Sequence, residues 1–120
     1  MPGSVFTVGP VIPRAVIIPA GATGLSPTIE LGEYHLGRID VPANWLAAGL
    51  SVQVSADNIT FYEMYDATGL LYSLPVGASR GQLVTIADFL SVRWMKLRSG
   101  TLAAPVNQTN APVLMLSLFP

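Results

Sequence analysis

Residues 50–74 read LSVQVSADNITFYEMYDATGLLYSL, and within them the chain must reverse direction twice. Leu50, Val52 and Val54 alternate with Ser51, Gln53 and Ser55, the period of two of a half-buried strand. Ala56, Asp57 and Asn58 follow. Asp and Asn hydrogen-bond their own backbone and tolerate left-handed geometry, so they supply a turn. TFYEMYD (60–66) is the return strand, rich in the aromatic residues that fit a pleated surface. Ala67, Thr68 and Gly69 make a second turn, and LLYSLPV (70–76) a third strand, predicting an antiparallel meander. A chain punctuated this closely must bury its apolar residues by stacking sheets.

The same texture extends in both directions. SPTIEL (26–31) alternates, with Ile29 and Leu31 on one face. YHLGRIDVP (34–42) places Ile39 and Val41 opposite Arg38 and Asp40. ANWLAAG (43–49) breaks the period and predicts a single helical turn capped by Asn44, with Trp45 and Leu46 plugging one end of the core. GQLVTIADFL (81–90) predicts a strand running into a bend at Asp88. VRWMKLRSG (92–100) sends Met95 and Leu97 one way and Trp94, Lys96 and Arg98 the other. The last segment, APVLMLSLFP (111–120), is apolar on both faces, which marks a strand covered on both sides. It is expected to dock in the middle of a sheet or under a partner chain. The sum is an all-β domain, an antiparallel β-sandwich or jelly roll of about 8 strands.

Residues 1–24 differ. They carry four prolines and four glycines, and proline cannot donate to a central ladder. The segment reads as an extended N-terminal arm, with short β pieces at Ser4–Val8 and Ala15–Ile18, or as an edge strand lying on a partner. The expected division is an arm over 1–24 and a β-sandwich domain over 25–120.

Composition limits the function. Hydrophobic residues make up 51% and charged residues 11%, against roughly 25% charged in an average domain. The net charge is −1, and near-zero charge favours association. Such a chain is expected to bury much of its outside against neighbours. Six basic against seven acidic residues give no field for phosphate, so nucleic acid is not an expected partner. No apolar run approaches the ~20 residues of a spanning helix, so neither is a membrane.

Catalytic chemistry finds little support. There is no cysteine and one histidine, His35, which reads as a polar residue on a strand surface. Asp57 and Asp66 sit in turns, where a carboxylate usually serves the backbone. No pair among Glu30, Glu33, Asp40, Asp57, Glu63, Asp66 and Asp88 has a defensible dyad spacing. No G-x-S-x-G elbow and no glycine-rich phosphate loop appears. The expectation is a protein without enzymatic activity, cofactor or metal. Candidate partner-binding residues are Val5, Phe6, Val8, Val11, Ile12 and Arg14 on the arm, and Trp94, Lys96 and Arg98 on one strand face. Phe61, Tyr62, Tyr65, Tyr72, Trp45 and Trp94 read either as core and interface residues or as a sugar-stacking platform.

The run IDVPANWLAAGLSVQVSADNITFYEMYDATG (39–69), followed by RWMKLRSGTLAAPVNQ (93–108) and an apolar last strand, resembles a family of small tailed-bacteriophage virion proteins. The matching positions are Trp45, Ser55, Asp57, Phe61, Tyr62, Tyr65, Asp66, Gly69, residues 97–101 and residues 105–108. They span roughly residues 36–118. The resemblance implies a capsid decoration (cement) protein or a related head-spike or fibre-base module. Its partners would be the major capsid protein and its own copies, in a homotrimer on the capsid surface of the virion. The competing expectation is a glycan- or receptor-binding module of a head or tail fibre. Exposed aromatic residues beside Asn or Asp on loops would favour that alternative.

Overall fold

The computed structural model describes residues 10–120. Nine strands occur among them: β1 (Ile12–Ile17), β2 (Ile29–Glu30), β3 (His35–Val41), β4 (Leu50–Ser55), β5 (Tyr62–Glu63), β6 (Ser73–Leu74), β7 (Arg80–Leu83), β8 (Trp94–Ser99) and β9 (Val113–Phe119). A single 3-10 turn, Ile86–Phe89, is the only helical element of the described residues. One sheet runs β1-β9-β3-β7; the other runs β2-β8-β4-β5, with β6 also on β4. Every pairing is antiparallel.

The pairing follows a single scheme. The first strand pairs with the last, the second with the last but one, β3 with β7, and β4 with β5 and β6. It is a long hairpin wrapped on itself, its strands alternating between the two sheets except for β4, β5 and β6, which share one. That connectivity is a jelly roll, with β5 and β6 as two pieces of one interrupted strand.

The period-two readings place the core. Ile39, Leu50, Val52, Met95, Leu97, Leu114, Leu116 and Leu118 are all fully buried between the sheets. Trp45 is buried too, and its indole N–H donates to the Ala48 carbonyl at 3.1 Å. β9 lies between β1 and β3, as its apolar sequence predicts. Gly37 marks a register shift in β3, where the Phe119 ring packs against the backbone; a Cβ there would approach it to 3.3 Å. Glycine at such a bulge admits a neighbour that any side chain would displace.

Four local expectations are corrected. The boundary at residue 24 falls inside the domain, because Ile12–Ile17 pairs with β9 over six residues and Val16 and Ile18 are core. Pro13 is tolerated there because β1 is an edge strand. Residues 1–9, including Val5, Phe6 and Val8, lie outside the described residues. Residues 43–49 form turns and not a helix, and Leu46 is partly exposed. The strand expected over 81–90 ends at Leu83 and gives way to the 3-10 turn that carries Asp88. The meander is not a simple one. β5 pairs with Gln53 and Val54, and β6 with Leu50 and Ser51, so both lie along the same edge of β4.

Candidate functional site

The residues expected to touch a partner do not form one patch. Val11 is exposed, and Ile12 is half-buried opposite Leu118. Arg14 has a structural task. Its Nη1 donates to the Glu30 carbonyl at 2.6 Å, tying β1 of one sheet to β2 of the other.

The Trp94–Lys96–Arg98 face is largely committed within the chain. Arg98 is buried and forms an ion pair through Nη1 with Glu63 Oε1. Gln53 Nε2 donates to the other Glu63 oxygen at 2.8 Å. A buried guanidinium needs such partners to offset its desolvation, and so held it is not available to a second molecule. Lys96 Nζ lies 4.3 Å from the Phe61 ring centre, and the Arg93 guanidinium 4.6 Å from that of Trp94. His35 packs at a tilt against Phe119.

The LRSGT and PVNQ motifs meet in space. Gln108 is fully buried; its Oε1 accepts from Leu46 N at 2.7 Å, and its Nε2 donates to the Leu46 carbonyl at 2.7 Å and to Ser99 Oγ at 2.9 Å. Val106 N donates to the Ser99 carbonyl, and Ser99 N to that of Gly24. Gly100 sits at φ +83°, and a Cβ there would lie 2.5 Å from the Ala104 carbonyl oxygen. Only glycine meets both demands. These motif residues therefore build the fold.

Two surfaces remain. The first is the outer face of the β1-β9-β3-β7 sheet. Alternation turns Leu114, Leu116 and Leu118 inward, and so turns Val113 and Met115 outward. Val113 is 44% exposed and Met115 37%. Ile17 pairs with Val113 and Ala15 with Met115, extending the apolar strip across β1. Beside it on β3, Arg38 Nε donates to Asp40 Oδ1 at 2.8 Å in an exposed ion pair. Leu83, opposite Arg38 on β7, is largely exposed. β9 is thus central in its sheet, yet its second apolar face is uncovered in the single chain.

The second surface is a cleft at the free margin of the other sheet, with a volume of about 530 Å3. Tyr62, Met64, Tyr65 and Tyr72 contribute to its walls, with Asp66 and Asp88. Tyr62 pairs with Val54 at the end of β4. Tyr65 faces Leu71 across the hairpin, and Tyr72 N donates to the Met64 carbonyl. Asp66 closes the hairpin: its Oδ1 accepts from Thr68 N, Thr68 Oγ1 and Leu70 N. These bonds, led by the Thr68 side chain, hold its carboxyl below the ordinary value. The 3-10 turn supplies Asp88, whose Oδ2 accepts from the Tyr72 hydroxyl at 3.0 Å. Burial, and then Asp88 itself, push the Tyr72 phenol far above its ordinary pKa. It stays a proton donor and fixes the Asp88 carboxylate.

The sequence pointed to the Tyr62 and Tyr65 hairpin but not to its meeting with Asp88. The bend read at Asp88 is the one sequence signal that the strand over 81–90 does not run on, and the chain leaves the sheet earlier, after Leu83. Among the described residues, no cluster of three or more His, Asp and Glu side chains is placed to hold a metal. No helix among the described residues is long and apolar enough to cross a membrane. Compared with protein-family models, curated proteins and solved structures, the chain matches none.

Proposed function

We propose that the chain is a decoration (cement) protein of a tailed-phage head, bound to the major capsid protein on the outer shell between capsomers. The observation that carries this reading is the outer face of the β1-β9-β3-β7 sheet. There Ile17, Val113 and Met115 form an apolar strip beside the Arg38–Asp40 ion pair. An apolar centre with a polar border is the anatomy of a protein interface. The low charge of the chain, 11% charged residues with a net charge of −1, supports the same reading. The resemblance over residues 39–69 and 93–108 adds the virion context.

Such a role involves no bond chemistry. Binding across a junction lowers the free energy of the assembled shell. Repetition of one weak contact over a symmetric lattice turns it into firm retention. A homotrimer at threefold positions would cover the edge strand β1 and the apolar strip together.

Native mass spectrometry of the protein, alone and with empty phage shells, tests the proposal. The expected result is a trimer that saturates shells at a fixed ratio per capsomer. The double variant Val113→Lys/Met115→Lys should lose shell binding and keep its melting temperature. A wild-type chain that stays monomeric and ignores shells would sink the reading.

A further inference from the structure

The cleft beside Tyr62 and Tyr65 shares no residue with the apolar sheet face, so its role stands or falls independently of shell binding. Four observations bear on what it holds. First, Tyr62 is 68% exposed and Tyr65 59%. Large aromatic faces left in water at the mouth of a cavity lack the burial that ordinarily retains them. Second, the cavity of about 530 Å3 falls within the roughly 300–1,000 Å3 of small-molecule sites. Third, acceptors are fixed in its wall. Asp88 is oriented through Oδ2 by the Tyr72 hydroxyl, and its Oδ1 takes no hydrogen bond among the described residues. Tyr72 is itself held edge-on against Phe89 at 5.6 Å. Fourth, the lining includes Asp66 and Asp88 but no Lys, Arg or His.

We propose that this cleft is a saccharide-binding site, selective for neutral or amino-bearing mono- or disaccharides and closed to acidic ones. A pyranose ring offers an apolar C–H face to a tyrosine and a rim of hydroxyl donors to a carboxylate. The two tyrosines supply the faces, and Asp88 Oδ1 the acceptor. Two carboxylates with no neighbouring base repel a uronate or sialate and attract a sugar ammonium. Phosphorylated ligands are rejected on the same ground. The pieces are positioned before a ligand arrives: the hairpin by Asp66, the acceptor by Tyr72. Little ordering cost then falls on binding.

The test is a titration of the isotope-labelled protein, followed by amide NMR, with three disaccharides. These are N-acetylglucosamine disaccharide, its de-acetylated amino form, and a glucuronate-containing disaccharide. Saturable shifts confined to the cleft are expected with the first two, tighter for the amino form, and none with the third. Tyr62→Ala and Tyr65→Ala should each weaken binding about tenfold, the loss of one stacking contact. Both side chains are exposed, so the melting temperature should not move. Asp88→Asn, which can still accept from Tyr72, should bring the amino and neutral affinities together. The proposal is overturned if no disaccharide binds, if shifts map elsewhere, if the uronate binds equally well, or if the tyrosine variants bind as wild type does.

Discussion

Asp57 shows how a single side chain stabilises a turn. Its Oδ1 accepts from Ser55 Oγ at 3.0 Å, Ile59 N at 2.9 Å and Thr60 N at 2.9 Å. Ser55 Oγ in turn accepts from Asn58 N, and Asn58 takes the left-handed φ of 61°. The sequence reading of a turn at 56–58 rested on these residue types and needed no tertiary information. The bonds, with that from Thr60 first, hold the Asp57 carboxyl below its ordinary value of 3.8. A folded-state pKa depressed below the unfolded one adds stability that is present above the unfolded value. It is lost as pH falls through the folded value. Asp66 is depressed in the same direction. Thermal melts over a pH series check this. Asp57→Asn should melt a few degrees below wild type at neutral pH, and the gap should close below the ordinary value of 3.8. A gap independent of pH would show that geometry alone, without the charge, makes the turn. Arg98 is the opposite case at this scale. Its alternation with Leu97 reads as an outward position open to a partner, yet Glu63, distant in sequence, draws it into a buried pair. No local pattern announces such a partner.

At the scale of the element, alternation identified the strands and failed at their ends. Leu114, Leu116 and Leu118 mark the inner face of β9, and every one is fully buried. β1 was obscured by Pro13 within it and by Pro10 and Pro19 beside it, because composition averages over a segment while the ladder needs only particular N–H groups. Residues 12–17 keep their pairing, and Val16 and Ile18 reach the core. The consequence is a sharp truncation boundary. Deleting residues 1–9 should leave the melting temperature within about 2 °C of wild type, a shift worth well under 1 kcal/mol. Deleting residues 1–18 strips Val16 and Ile18 from the core, at about 1.5–3 kcal/mol each. It also leaves β9 as a bare edge. Set against a total stability of about 5–15 kcal/mol, that protein should be largely unfolded or aggregated. Circular dichroism melts of the two truncations decide the matter. A folded 19–120 chain would show that β1 is an accessory to the domain and restore the arm. The candidate saccharide cleft was less legible for the same reason. Its tyrosines lie on one hairpin, but Asp88 arrives on an element that alternation extended as a strand.

For the whole molecule, the wrapped-hairpin order was beyond reach of the sequence, since alternation gives faces and not neighbours. It has a kinetic consequence. β1 pairs with β9, so nearly the full length of the chain must be closed before that contact forms. Closing long loops costs entropy before any contact rewards it, and non-local sheets fold slowly. The same pairing sets Ile12 directly opposite Leu118, so the two ends of the described chain are neighbours. A circular permutant can exploit this. A short glycine linker would join residue 120 to residue 10, and new ends would open at the exposed turn of residues 67–69. Every strand pairing except those next to the cut is retained, and β1 with β9 becomes a local hairpin. Stopped-flow refolding should then run about three- to tenfold faster than the parent, as local contacts replace the longest closure. An unchanged rate would mean that β1 docks after the rate-limiting step. The nucleus would then lie in the β4–β8 pairing, where Val52 meets Leu97 at the centre of the core.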